Sequence, residues 1–389
     1  YPEGLIINML SFKKMTLEGT VLKVQSGAIW KDVIAFLDKK NRSVAVMQSN
    51  NSFSVGGSIS ANCHGWQYNK PPIASTVEAF RLMKADGTVL RCSRTQNSEL
   101  FSLVLGGYGL FGVILEVELQ TVPNTRYRME QYIVPLDQSL VTLDLKVNRK
   151  KSVRMVYGRM NVVPGQLFSE VILNAFFHEK GEMPKLIDPG MVKFKRYVFR
   201  GSENSDYGKE LRWNAERNLQ PLIAKKYVSR NQLMNVGTNV FENRSTTTTD
   251  ILHEYFIPRE HVGKFVAEMR QVIEQHKALD LLNVTLRDVN EDKTSFLRYA
   301  DKDMIAFVML FVQKRDQEGE EKMKAMTRAL IDLSLKYKGR YYLPYRLHAT
   351  RKQFDTAYPQ AENFFALKRK YDPDELFQNM FYIQYGKAQ

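Results

Sequence analysis

The sequence has few cysteines and no long apolar run. Its two cysteines, Cys63 and Cys92, are too few for a disulfide framework, so we expect a reducing compartment and leave a single Cys63–Cys92 bridge open. No apolar stretch reaches the roughly 18–20 residues of a membrane helix, and the longest, such as Met304–Val312, have the length of strands. Metal-ligand spacing and nucleic-acid-binding signatures are also missing, so we expect no metal site and no nucleic-acid partner.

The chain does have an excess of positive charge. Its 56 Lys and Arg residues against 42 Asp and Glu give a formal net charge of +14. The basic residues are scattered, which is typical of a solvated surface, but they also suit an anionic substrate, a cofactor diphosphate or an anionic membrane. We expect a cytoplasmic protein, with peripheral membrane association as an open alternative.

The periodicity of apolar residues divides the chain into two regions. The run Leu5–Asn8 reads as a strand, Ile29–Lys39 as an amphipathic helix, and Val77–Met83 with Val89–Ser93 as a pair of strands around an Asp-Gly turn. From about residue 124 to residue 338, strand-like runs alternate with helices, which predicts an α+β domain with a mainly antiparallel sheet. A helix over Ala361–Tyr371 precedes an aromatic tail.

Two glycine-rich segments carry the most informative pattern. In the first, residues 54–65 (SVGGSISANCHG), paired glycines let the backbone approach a flat ligand and expose N–H groups to anionic oxygens. The second, residues 105–114 (LGGYGLFGVI), lacks the strand before and the helix after that a Rossmann motif needs. We expect the two segments to leave a slot for a tricyclic ring and its pyrophosphate.

In their order along the chain, these segments resemble the FAD-binding domain of the vanillyl-alcohol-oxidase superfamily. The matching parts are SVGG, HG, ADG, ELF and GGYGLFGVI, and the nearest likeness is to the branch of decaprenylphosphoryl-ribose oxidase, aldonolactone oxidases and alditol oxidase. The resemblance implies a two-domain α+β flavoprotein fold. It places an FAD-binding domain at residues 1–123, a substrate domain at 124–360 and a return to the first domain at 361–389.

The resemblance also implies which residues hold FAD. The backbone from Ser54 to Gly57 would contact the diphosphate and ribityl chain, His64 would lie beside the isoalloxazine ring, and Ile114 would bond the ring edge or the adenine through its backbone. The cofactor-binding residues implied in this way are Ser49, Ser54, Val55, Gly56, Gly57, Ser60, Ala61, Asn62, His64, Gly65, Gly112, Ile114 and Tyr342.

The mode of flavin attachment stays open at this point. In the superfamily the diphosphate-binding loop, often with a histidine bonded covalently to flavin, precedes the region that starts here at Tyr1. The opening Tyr-Pro-Glu-Gly is not a translation start, so we expect further residues upstream. The berberine-bridge branch adds a cysteine link at the position of Ser52, and its absence here disfavours a second covalent bond.

One candidate for chemistry is an arginine in the second region. Alternation along Asn283–Val289 places Thr285 and Arg287 on one face. A similar strand of alditol oxidase carries an acid and then an arginine, so Arg287 matches and Thr285 stands in place of the acid. We expect Arg287 to stabilise negative charge, or else to pair with Asp288 or Glu291.

Three further candidates lie at residues 254, 345 and 348. Alternation along Ile251–Pro258 places Glu254 on one face with apolar Leu252 and Phe256, where a carboxylate is costly unless it is paired, so we expect a pocket position or a structural arginine partner. Tyr345 stands where decaprenylphosphoryl-ribose oxidase has a lysine that faces flavin and substrate. His348 suits a general base because its pKa lies near neutrality; a bond to backbone is the alternative.

These patterns predict an FAD-dependent oxidoreductase. It would oxidise an alcohol carbon of a polyol, sugar lactone or lipid-linked sugar by hydride transfer to flavin, and would pass electrons to oxygen or a quinone-like acceptor. The alternatives are a flavin-dependent C=C reductase and a non-catalytic ligand-binding protein that retains the fold.

Overall fold

The computed structural model describes residues 4–148, 152–219, 227–276 and 280–387. Their strands are β1 Met15–Glu18, β2 Val21–Gln25, β3 Arg42–Val44, β4 Val77–Met83, β5 Val89–Ser93, β6 Val113–Pro123, β7 Arg126–Pro135, β8 Val153–Met160, β9 Glu170–His178, β10 Tyr227–Ser229, β11 Thr248–Pro258, β12 Asp280–Val289, β13 Met304–Lys314 and β14 Arg340–Tyr341. Their α-helices are α1 Trp30–Asp38, α2 Val55–Ser60, α3 Ser98–Val104, α4 Leu136–Thr142, α5 Val192–Arg200, α6 Asp206–Asn214, α7 Arg230–Met234, α8 Val262–Gln275, α9 Gln317–Lys336, α10 Arg351–Ala357, α11 Ala361–Tyr371 and α12 Met380–Tyr385.

The first sheet is antiparallel and has the order β1-β2-β6-β4-β5, with β3 also paired to β6. Helix α1 packs by the apolar side that its sequence period predicts, and Val33, Ile34 and Leu37 are fully buried. The β4–β5 pair turns at Gly87, whose φ of 78° favours glycine. This sheet supports the first glycine-rich segment, since Ser26, directly after β2, bonds both Gly56 and Leu115.

The second sheet is antiparallel and has the order β10-β7-β9-β8-β12-β13-β11-β14. Its strands β11, β12 and β13 are rich in Val, Ile, Leu and Phe. Strands β11 and β13 pack on helix α9, and β11 also packs on α8, while Glu254 on the other face of β11 reaches the first sheet region. The predicted α+β fold with a mainly antiparallel second sheet is confirmed.

The structure corrects the interpretation of one segment and adds a helix in another. Leu5–Asn8 is not a strand, and the side chains of Leu5 and Ile6 lie almost wholly in solvent. The first glycine-rich segment contains the short helix α2, where Ser54 caps the N-terminus by accepting a hydrogen bond from the Gly57 N–H. The capping serine outweighs the low helix propensity of the paired glycines, which a composition-based interpretation misses.

The C-terminal helices return to the first sheet region. Phe364 of α11 packs on Phe111 with ring centroids 5.1 Å apart, and Asn379, the N-cap of α12, donates to the Tyr108 carbonyl at 2.9 Å. The second glycine-rich segment is therefore held between α2 and the C-terminal tail.

Candidate active site

A buried histidine and a buried glutamate meet where the two sheet regions face each other. Alternation along β11 turns His253 toward helix α9 and Glu254 toward the first sheet region. The Glu254 Oε1 and His64 Nε2 atoms lie 2.5 Å apart, although 190 positions separate the two residues in sequence. Both side chains are almost fully buried, at 3% and 4% exposure.

Three other predicted residues join this pair. The Tyr345 hydroxyl donates to Glu254 Oε2 at 3.1 Å. The Arg287 guanidinium donates to the His64 carbonyl oxygen at 3.3 Å and to Ser49 Oγ at 3.0 Å. The structure thus brings together residues from the loops on either side of α2, from β11 and β12, and from the segment after β14. The salt bridges predicted as alternatives for Arg287, with Asp288 or Glu291, are not formed; Asp288 pairs with Arg259 instead.

The charges of this cluster are set by burial and by mutual contact. Burial lowers the pKa of His64 below its ordinary value, and Arg287 adds to this, while Glu254 opposes it. Burial by itself would raise the pKa of Glu254, but the contacts with His64, Arg287 and Tyr345 outweigh it and keep that pKa low. Near neutral pH the cluster therefore holds an ionised Glu254 beside a neutral His64.

Aromatic rings enclose the His64 imidazole. The ring centroids of Phe256, Tyr299 and Tyr342 lie 5.3, 5.8 and 6.1 Å from that of His64. The hydroxyl of Tyr342 donates to the Ala61 carbonyl at 2.7 Å, and that of Tyr299 to the Asn62 carbonyl at 2.7 Å. Tyr299 was not predicted from sequence, since an isolated tyrosine between charged residues carries no recognisable signal.

The backbone N–H groups at the start of α2 are already bonded within the protein. Val55 and Gly56 donate to the carbonyls of Ala28 and Ser26 at 2.9 and 2.8 Å, and Gly57 donates to Ser54 Oγ at 3.3 Å. These N–H groups therefore have partners inside the protein, and their contact with a diphosphate stays a prediction. The open surface lies instead at exposed Gly57 and at Ser60 and Ala61, which are partly exposed.

The two glycine-rich segments touch each other directly. Gly106 N–H donates to the Ile59 carbonyl at 3.1 Å and Tyr108 N–H to the Ser60 carbonyl at 3.0 Å. A methyl group built on Gly106 would lie 3.1 Å from the Asn62 side chain. The prediction of a slot between the two segments is therefore wrong, because the second segment packs directly against α2.

Four further predicted cofactor residues hold the backbone in place in this structure. Asn62 donates to Asp292 at 2.8 Å and accepts from the Ala74 N–H at 3.1 Å. A methyl group on Gly65 would lie 2.0 Å from the Met47 carbonyl, and one on Gly112 would lie 2.5 Å from that of Met83. Ile114 is buried in β6, opposite Leu82.

His348 is not brought to this cluster. Its Nδ1 lies 2.9 Å from Thr327 Oγ1 on helix α9, and its Nε2 lies 2.9 Å from Glu320 Oε1. Thr327 Oγ1 also lies 3.0 Å from His253 Nε2, on the opposite side of β11 from Glu254. With both ring nitrogens bonded on that side of the sheet, His348 lacks the geometry of the predicted general base.

The residues of the cluster fit a flat, polar cofactor. Within the described residues, His64 Nδ1 and Arg287 Nε are buried without a hydrogen-bond partner, and buried polar atoms are rarely left so. A side-chain carbon added at Gly57 would meet only Ser54 Oγ, at 3.1 Å. An open glycine on α2 and buried polar atoms without partners are both features that a flavin ring with hydrogen-bonding edges requires.

Two protein families match parts of this chain. Residues 1–93 match the FAD binding domain family, and residues 194–385 match the D-arabinono-1,4-lactone oxidase family. L-gulonolactone oxidases of Mus musculus and Bos taurus are each 22% identical, over 97% of this chain and 84% of theirs. The chain belongs to the FAD-dependent vanillyl-alcohol-oxidase superfamily.

Within this superfamily, the family matches place the chain in the aldonolactone oxidase branch. A D-arabinono-1,4-lactone oxidase of Debaryomyces hansenii is 26% identical over 32% of this chain and 22% of its own length. A solved structure of a solvent-stable cholesterol oxidase superposes with a TM-score of 0.70 at 15% identity, covering 97% of this chain and 84% of that one, which shows the shared fold.

The chain is accordingly an FAD-linked oxidoreductase that acts on CH–OH donors, with a small-molecule substrate and oxygen or a similar electron acceptor. The comparisons do not favour the C=C reductase or the non-catalytic alternative. Among the described residues no group of three or more His, Cys, Asp or Glu could hold a metal ion. Over the same part of the chain, no helix combines the length and apolarity needed to cross a bilayer, and Cys63 and Cys92 are free thiols.

Proposed function

We propose that this flavoprotein oxidises an alcohol carbon of a sugar lactone, since its relatives are named L-gulonolactone oxidase and D-arabinono-1,4-lactone oxidase. One observation carries the proposal: a buried His64–Glu254 pair, with one imidazole nitrogen unpartnered, lies where the two sheet regions meet. Oxidation of an alcohol needs an acceptor for the hydroxyl proton, and this nitrogen is available for that role.

The charges of Glu254 and His64 indicate which atom accepts the substrate proton. Ionised Glu254 accepts a hydrogen bond from His64 Nε2–H, which leaves the lone pair on Nδ1 free. We assign Nδ1 as the atom that takes the substrate proton, with Glu254 stabilising the imidazolium that results. Tyr345, bonded to the other Glu254 oxygen, fixes the carboxylate and occupies the position where the resemblance places a lysine.

The chemistry that FAD supplies when bound is the acceptance of a hydride from the alcohol carbon. The resemblance and the open surface at α2 both indicate that FAD would be held by Gly57, Ser60, Ala61 and His64. The Arg287 guanidinium provides a fixed positive charge beside His64, where it stabilises negative charge that develops during oxidation. Arg287 is positioned for this by its bond to Ser49 Oγ.

The proposal includes the cellular location of the protein and its electron acceptor. Two free thiols support a reducing, cytoplasmic location. The net charge of +14 supports contact with an anionic membrane, from which a quinone-like acceptor would be reached, whereas oxygen needs no such contact.

Anaerobic mixing of the FAD-loaded protein with aldonolactones, polyols and lipid-linked sugars, followed by flavin absorbance, tests the proposal. We expect bleaching by an aldonolactone, with a rate that falls as the pH drops through the pKa of His64, which lies below about 6.5. Bleaching by none of the lactones, or a rate that rises toward acid pH, would refute it.

A further inference from the structure

Helix α5 has an apolar face that points to solvent. Phe194, Tyr197 and Val198 are 62%, 79% and 41% exposed, and Met191, directly before the helix, is 71% exposed. Residues three, four and seven apart share one side of a helix, so these four side chains form one continuous stripe. We call Met191, Phe194, Tyr197 and Val198 the α5 stripe.

The opposite side of α5 is fixed to the protein. Phe199 is buried, and its ring packs edge-to-face on that of Phe241 with centroids 5.1 Å apart. Arg196 donates to the Asn239 carbonyl at 2.7 Å and pairs with Glu242 at 2.8 Å. The α5 stripe is therefore presented outward by a helix that is held through its other face.

Two lysines border the stripe. With 100° per residue, Lys193 falls on one edge of the stripe and Lys195 on the other. Both are exposed, and neither pairs with a carboxylate in the part of the chain that the structure describes. An apolar strip with cationic edges is the pattern of helices that lie in the interface of an anionic bilayer.

We infer that the α5 stripe docks this protein on an anionic lipid surface, with its apolar side chains among the acyl chains and the two lysines at the headgroups. A second copy fits less well, because a symmetric contact through the stripe would oppose like-charged lysines of two chains that each carry a net charge of +14. Nucleic acid fits less well too, since the aliphatic Met191 and Val198 offer no stacking surface.

A short segment connects α5 to the loop before α2. Thr238 N–H donates to Ser52 Oγ at 3.3 Å, and Asn51 N–H donates to the Val236 carbonyl at 2.9 Å. The next residue, Asn239, holds α5 through Arg196. Docking through α5 therefore joins the lipid surface, by a few direct contacts, to the loop that leads into helix α2.

Flotation of the full-length FAD-loaded protein with phosphatidylcholine vesicles, with and without phosphatidylglycerol, tests the inference. We expect binding only to the anionic vesicles. The double substitution Phe194→Ser with Tyr197→Ser should lower the partition coefficient about tenfold or more, and Lys193→Glu with Lys195→Glu should do the same. Exposed lysines elsewhere give the matched control: Lys39→Glu with Lys352→Glu changes the net charge equally and should retain binding.

Several results would overturn the inference: no flotation of the parent protein, equal flotation of the Phe194/Tyr197 variant, or an equal loss in the control. A concentration-dependent dimer that the Phe194/Tyr197 variant abolishes, without vesicle binding, would assign the stripe to self-association. Displacement from vesicles by an oligonucleotide that binds the stripe would assign it to nucleic acid. Flavin bleaching by substrate is measured without vesicles, so failure of the proposed reaction is read separately.

Discussion

Glu254 carries the charge on which the arrangement of the site depends. Alternation along β11 predicts that it is flanked by apolar side chains, and the structure shows why it is tolerated there: His64 and Tyr345 bond its two oxygens, and Arg287 lies nearby. A carboxylate that orients an imidazole fixes which ring nitrogen is free, so its charge affects a reaction it does not itself enter.

Glu254→Gln keeps the shape of the side chain and removes its charge. We expect flavin reduction by an aldonolactone to slow by about 10²–10⁴-fold, because the amide no longer stabilises a protonated His64. Stopped-flow absorbance measures the rate, and FAD content should stay at the parent level. Tyr345→Phe, which removes only one bond to the carboxylate, should have a smaller effect. An unchanged rate in Glu254→Gln would remove this residue from the proton path.

His348 has the chemistry of a general base, but it lies on the other side of β11 from the Glu254 cluster. Its bonds to Thr327 and Glu320 hold the segment after β14 against helix α9. We expect His348→Ala to leave the rate of flavin reduction within about twofold of the parent, while the free energy of unfolding falls by about 1–3 kcal/mol as buried partners lose their bonds. Urea unfolding and stopped-flow absorbance measure the two effects, and a rate loss above about 10²-fold would restore the general-base role.

At the scale of elements, Gly57 in helix α2 and Gly65 after it have different surroundings. A side chain at Gly57 would meet only Ser54 Oγ, at 3.1 Å, whereas one at Gly65 would lie 2.0 Å from the Met47 carbonyl. At Gly57 a side chain would enter open space, whereas at Gly65 it would collide with the backbone. The sequence alone does not distinguish these two constraints.

Gly57→Val should fold and lose FAD. The added methyl groups would project into the open surface of α2, so we expect thermal unfolding close to that of the apoprotein of the parent, but little bound flavin. Gly65→Ala is the contrasting variant, and we expect it to lower stability because its methyl group collides with backbone. Flavin absorbance per protein and thermal unfolding measure both. A normal flavin content in Gly57→Val would place the cofactor elsewhere.

At the scale of the whole molecule, buried neutral histidines make stability depend on pH. Burial first, and then the charge of His348, lower the pKa of His253 to about 3, and the pKa values of His64 and His348 are lowered as well. The unfolded chain binds these protons at a higher pH than the folded chain. The contribution of these histidines to the free energy of unfolding is therefore fully present above about pH 6.5. It is lost progressively as the pH falls toward 3.

We expect the thermal midpoint of the parent protein to fall steadily between about pH 6.5 and pH 4, and His253→Gln to reduce that slope. A glutamine cannot take up the proton, and it can still bond Thr327 Oγ1, the partner of His253 Nε2. Calorimetry across this range measures the slope, and an identical slope in the two proteins would contradict the assignment.

Local patterns in the amino-acid sequence are enough to predict the fold class and the cofactor, and they supply most of the candidate residues of the site. These patterns are the alternation on β11 and β12, the period of α1, and the ordered short segments that resemble an FAD-binding domain. Short-range patterns fix which face of an element a residue occupies, and so Glu254 and Arg287 follow as candidates from the sequence alone.

Which of those residues meet depends on the packing of the folded chain. The His64–Glu254 contact spans 190 positions, and no local period encodes it. The glycine-rich segments pack on each other, and His348 lies across β11 from Glu254, because the order of strands in a sheet and the side on which a loop returns are set by long-range packing. The exposed stripe of α5 is likewise a property of the assembled molecule, since burial is defined only once the chain has folded.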